Sequence, residues 1–176
     1  MRRRGPSQIQ FWFIALMIGI AAGLAAVLFR FGVSFLQQTL YGVEDVTKLH
    51  SFAESLPWYW VLIIPMMGGV AVGIILHHFT PDGRVRSVSD VIEGAALNEG
   101  RVEKKAGIAS ALSSMITLGT GGSTGREGPV VHIAAMISSW VSNVIRADGI
   151  TGRDLLGCAV AAAVSAGFNA PIAGAL

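Results

Sequence analysis

The segment Gly119-Thr120-Gly121-Gly122-Ser123-Thr124-Gly125-Arg126-Glu127-Gly128-Pro129 holds the residues best placed to do chemistry. Glycines let the chain adopt positive φ and leave no side chain between a ligand and the backbone N–H groups. Pro129 suits the first position of a helix, where its missing N–H removes no bond. A helix from Pro129 to Val144 would present its positive end and free amides near Arg126, Glu127 and Gly128, an arrangement that binds a bare anion. Two nucleotide-binding patterns fail on the same residues. GxxxxGK[ST] lacks its Lys-Ser/Thr, and in GxGxxG Thr124 stands at the third glycine with a helix, not a strand, ahead of it.

Glu127 needs a reason, because a charged side chain within a membrane costs about 2.5 to 3.5 kcal/mol on insertion scales. One reading is a capping box, Thr124 with Glu127, matching [ST]xxE. Against it, the residue before a proline is pushed out of the α region, which predicts a helix that starts after Glu127 and leaves the carboxylate free. A carboxylate at a helix N-terminus is stabilised as the anion. Two other helix starts have the same character: Ser87-Val88-Ser89-Asp90, and Phe168-Asn169-Ala170-Pro171. Aimed at one midplane, three such starts form a shared anion focus; taken singly, they are ordinary caps.

The elements that position these residues follow from composition. Of 176 residues, 52% are hydrophobic and 14% charged, against roughly 25% charged in soluble domains. That excludes disorder and an ordinary cytosolic enzyme, and implies a bilayer. The net charge of +2 sits in short breaks between apolar runs, which fits lipid headgroups and not nucleic acid. Cys158 is the one cysteine, so no internal disulfide framework exists, and no Cys/His cluster has zinc spacing. No cofactor is indicated.

Phe11–Phe29 and Trp58–Leu76 are each nineteen residues without a charge, enough to cross a hydrocarbon core of about 30 Å. The first, behind Arg2, Arg3 and Arg4, exceeds the apolar region of a signal peptide. The second carries Pro65 and opens on an aromatic belt of Trp58, Tyr59 and Trp60. Gly19 with Gly23, and Gly69 with Gly73, have the spacing of close helix packing in lipid. Arginine and lysine concentrate in 1–6 and 79–105, whereas the 41–57 connection has only Lys48. The positive-inside rule thus places the N-terminus and 79–105 in the cytoplasm. Three regions result: a basic terminus (1–7), two long transmembrane helices (8–78), and short interrupted membrane helices (79–176). In the last, Val88–Leu97, Ala106–Leu118, Pro129–Val144 and Leu155–Ala166 are mostly too short to cross alone, a mark of a channel or transporter whose backbone lines a polar cavity. The apolar turn at Pro171–Leu176 breaks off without a cap, which predicts the first half of something larger.

Gly125-Arg126-Glu127-Gly128-Pro129, followed by Val130-Val131-His132-Ile133, resembles the GREGP/GKEGP signature of the CLC family of chloride channels and proton-coupled anion exchangers. Ala161-Ala162-Ala163 through Gly167-Phe168-Asn169-Ala170-Pro171-Ile172-Ala173-Gly174 is similar to that family's AAxFNAPLAG stretch. The resemblance covers about residues 80–176. It implies an all-α polytopic membrane protein, the first half of an inverted repeat, in the cell (inner) membrane, working as a homodimer in lipid with chloride or a related anion and, in exchangers, protons. It makes Glu127 the gating glutamate and the amides at Arg126, Glu127 and Gly128 the outer anion site, with Gly125, Pro129, Phe168, Asn169 and Pro171 at helix starts along the pathway. The family's GSGIPE motif falls on Arg86-Ser87-Val88-Ser89-Asp90-Val91, where Ser87 keeps the anion-coordinating serine but both glycines and the proline are lost. Arg86 is then either a cation at the inner mouth or a snorkelling interfacial residue.

Two other classes compete. A non-enzymatic membrane-assembly subunit would turn the glycine loop toward other helices. An intramembrane serine hydrolase would pair Ser123 with His132 or His78, which must come within hydrogen-bond reach. The remaining polar residues read as structural: His77 and His78 as interfacial, His132 as packed, Thr151 as the N-cap of a helix with Asp154 as its partner, and Cys158 as buried filler.

Overall fold

The computed structural model describes residues 8–42 and 57–175. Among the described residues the regular elements are all helices: α1 (Gln8–Tyr41), α2 (Trp58–Phe79), α3 (Val88–Leu97), α4 (Lys104–Gly119), α5 (Glu127–Val144), α6 (Gly149–Phe168) and α7 (Pro171–Ala175). Arg2 to Arg4, Lys48 and Leu176 lie outside the described residues.

α1 continues through Arg30 to Tyr41, because nothing in Phe31–Leu40 breaks a helix. Its buried residues Ile18, Ala22, Ala26, Phe29 and Val33 recur every three or four positions and so form one stripe. That stripe packs on Val130, Val131, Ala134 and Ala135 of α5 and on Leu155, Leu156, Ala159 and Ala163 of α6. The other side of α1, from Trp12 and Phe13 to Leu28 and Phe31, is exposed, as are Met66, Met67, Val70 and Ile74 of α2. Apolar surface this continuous fits lipid or a protein neighbour, not water.

The glycine pairs do not pack as their spacing predicts. Gly23, Gly69 and Gly73 face open space, and Gly19 only approaches Ala162, with 3.8 Å from its would-be Cβ. The tight approaches are Gly68 against Thr120 and Gly32 against the Met115 sulfur. A helix packs through whichever stripe its neighbour faces, and spacing alone does not choose that stripe.

Two helix starts also correct the expectation. α5 begins at Glu127, so Pro129 is its third residue and not its first. The first-turn N–H groups lack intrahelical acceptors, so proline removes nothing there, and Gly128 has no Cβ to clash with the proline ring. α6 begins at Gly149 and not Leu155; its 20 residues reach about 30 Å, enough to cross. Its N-cap is Asp148, whose carboxylate accepts the Thr151 N–H at 2.9 Å, so Thr151 is a capped residue and not the cap.

Candidate functional site

The glycine loop starts as the end of α4. Gly122 N–H donates to Thr117 O at 2.8 Å and Gly121 N–H to Leu118 O at 3.3 Å, with Gly121 at φ +87°. This is a Schellman turn, which needs a residue in the left-handed region. Part of the glycine run therefore terminates a helix and does not expose amides. The turn is held by α1, where Gln37 Nε2 donates to Leu118 O at 3.1 Å and the Tyr41 hydroxyl donates to Thr120 O at 2.9 Å. Thr120 in turn packs on Gly68 of α2.

The chain then enters α5 without a side-chain cap. The capping box between Thr124 and Glu127 does not form, and first-turn amides have no intrahelical acceptor. Glu127 is half-buried. Its carboxylate folds back over the loop, with Oε2 3.1 Å from the position a Cβ on Gly125 would take. Backbone amides with a helix dipole behind them stabilise negative charge at this point.

α3 meets the same place. A Cβ on Gly128 would lie 4.0 Å from Ser87 Cα, so the starts of α3 and α5 abut. α3 carries the cap that its sequence implies, with Ser87 N–H donating to Asp90 Oδ2 at 2.7 Å. The Ser87 hydroxyl lies 2.7 Å from Ser89 Oγ and donates to Asp90 Oδ2 at 3.2 Å. An anion at Ser87 would have to take that proton from a carboxylate. The third helix start is elsewhere: Asn169 ends α6 in the left-handed conformation (φ 55°), and α7 folds back along α6 through Gly174 against Ser165. Phe168 and Pro171 are exposed there. The fold brings two of the three starts together.

Arg86 is little exposed and ion-paired. Its guanidinium is 11% exposed and contacts Glu103 at 2.8 Å, Asp82 at 3.2 Å and Asp90 at 3.3 Å, while its backbone N–H donates to Ser110 Oγ at 2.8 Å. It is a neutralised hub that ties the loop before α3 to the start of α4. A cavity of about 140 Å³ beside it is lined by Asp90, Glu93, Arg101, Glu103 and His132. His132 is buried as expected; its ring nitrogens have no hydrogen-bond partner among the described residues, and the ring sits over Gly107, whose Cβ would lie 2.6 Å from Nε2. Ser123 lines a different cavity, and His78 a third. The side chains a hydrolase would need are therefore not assembled. His77 and His78 are exposed in the last turn of α2. Cys158 is half-buried, not buried.

The cavity at Ser123 is the residue set that sequence reasoning missed. It measures about 500 Å³ and lies between α1 and the loop, lined by Arg30, Ser34 and Gln37 on one side and Gly121, Gly122, Ser123, Thr124 and Arg126 on the other. Arg30 gave a signal only as the charge that closes a nineteen-residue apolar run.

Residues 68–176 match the family model described as voltage gated chloride channel. A ClcB-like protein of Ralstonia nicotianae is 34% identical over 167 residues, 93% of this chain and 38% of that one. Chloride channel protein CLC-e of Arabidopsis thaliana is 30% identical over 172 residues, 96% of this chain and 24% of that one. The voltage-gated ClC-type chloride channel ClcB of Yersinia pseudotuberculosis is 26% identical over 165 residues, 93% of this chain and 39% of that one. The chain thus spans well under half the length of these curated relatives.

Proposed function

Because this chain belongs to the voltage gated chloride channel family, a family of polytopic membrane proteins, we propose that it forms part of a pathway for chloride-type anions, gated by Glu127. The observation that carries the reading is the position of the Glu127 carboxylate, half-buried in the uncapped first turn of α5 and folded over Gly125. Ionised, it occupies the electropositive end of the helix and excludes a second negative charge. Protonated, it loses that attraction and yields the amides near Arg126, Glu127 and Gly128 to an anion. The abutting start of α3 narrows the approach from the other side, with the Ser87 N–H and hydroxyl both donating to Asp90 Oδ2. We place the N-terminal end of α1 in the cytoplasm and the working unit as a homodimer in the cell membrane.

The test is anion flux from proteoliposomes carrying the full gene product, with Glu127→Gln and Glu127→Ala compared with wild type between pH 4 and 8. Both variants should lose the pH dependence of flux. An unchanged pH response in both would overturn the gate. Proton movement recorded in the same vesicles separates the two mechanisms: uphill proton transport driven by an anion gradient identifies an exchanger, and its absence a channel.

A further inference from the structure

We propose that the cavity between α1 and the glycine loop is a cationic antechamber that holds small monovalent anions beside Glu127, with Arg30 as one of its two binding cations. The proposal rests on the anion-pathway reading above and adds a site to it.

Two guanidiniums, Arg30 from α1 and Arg126 from the loop, line one cavity of about 500 Å³, and among the described residues no carboxylate lines it. Neither arginine forms an ion pair among the described residues, whereas Arg86 is matched by three carboxylates. Ser34, Ser123 and Thr124 add hydroxyl donors to the same walls, so an anion leaving water would find replacements for part of its hydration shell. Val33 and Leu118 supply the apolar part of the lining, and a low-dielectric wall beside like charges concentrates counter-ions in the cleft.

Position makes the cavity useful. Arg126 is the residue before α5, and Glu127 follows it directly, with its carboxylate over Gly125. An anion held between the arginines is therefore next in line for the amides that Glu127 vacates. Packing does not explain Arg30, since it is exposed. Its charge follows nineteen uncharged residues on the helix side that faces the loop.

The experiment uses charged thiol reagents and needs no transport. In the purified full chain with Cys158→Ser and Ser123→Cys, the modification rate is measured with a sulfonate methanethiosulfonate and with its trimethylammonium counterpart. The anionic reagent should be favoured, and Arg30→Gln should cut the anionic-to-cationic rate ratio about fivefold at low salt, because losing one unit charge shifts the two reagents in opposite directions. Arg30→Lys should keep the ratio. The Arg30→Gln effect should fade near 1 M salt, where the Debye length is about 3 Å. Chloride should slow the anionic reagent more than the cationic one. A ratio that Arg30→Gln leaves unchanged overturns the proposal. So does protection by phosphatidylglycerol nanodiscs without protection by chloride, which would give the cavity to a lipid headgroup. Failure here leaves the Glu127 flux test standing, and failure of that test leaves this one readable.

Discussion

Gly125 makes room for Glu127: the carboxylate oxygen Oε2 lies 3.1 Å from where a Gly125 Cβ would be. The absence of one methyl group lets the acidic side chain fold back over the loop. Gly125→Ala should push the carboxylate outward and weaken its hold on the helix start. We expect flux that is higher at neutral pH and less pH-dependent than wild type, part of the way to Glu127→Gln. Flux that keeps the wild-type pH profile would show that the carboxylate acts from another position.

Gly68 and Thr120 form the contact that ties α2 to the end of α4. A Cβ on Gly68 collides with the Thr120 side chain, and overpacking of this kind costs about 1 to 3 kcal/mol. Gly68→Ala should lower the melting temperature in detergent, and Thr120→Ala should restore most of it in the double variant. Additive losses in a double-mutant cycle would mean that the two sites do not touch.

The cap on α6 sets a pH dependence outside the membrane segments. The Thr151 hydroxyl, and after it the Thr151 N–H, hold the Asp148 carboxyl below the ordinary aspartate range. A depressed folded-state pKa gives stability that is present above the unfolded value and is lost as pH falls through the folded one. Asp148→Ala should therefore melt below wild type at neutral pH, and the gap should close as pH drops below about 4. A gap that persists at pH 2 would assign the loss to something other than the ionised cap.

Arg146 ends α5 in the left-handed region at φ 51°, while Ala147 N–H donates to Ser142 O at 2.9 Å and Arg146 N–H to Asn143 O at 3.3 Å. Glycine adopts that conformation without a Cβ penalty. Arg146→Gly should stabilise the fold by about 0.5 to 1 kcal/mol, read as a raised melting temperature. A drop would mean that the arginine charge at the helix end outweighs the backbone strain.

Much of the architecture was legible in sequence because local signals and lipid burial agree. Val88–Leu97 is bounded where Ser87 and Asp90 predict its start, and the two long helices follow from uncharged runs that need no partner to be recognised. Glycine, proline and glutamate together marked the start of α5, although Gly128 let the helix begin two residues earlier than proline alone suggests. Charges misled at α6, because Arg153 and Asp154 interrupt hydropathy without interrupting hydrogen bonding, and Asp148 caps the helix upstream of both.

The sequence by itself determined the membrane setting, the helix count among the described residues and the identity of Glu127 as a residue in need of a function, since each is read from composition or from residues contiguous along the chain. Only the tertiary structure decided which glycines touch, that Arg86 is neutralised by Asp82, Asp90 and Glu103, and that Arg30 and Arg126 share a cavity. Arg30 and Arg126 alone stand 96 positions apart along the chain, and no periodicity within a helix encodes which face a distant segment will meet.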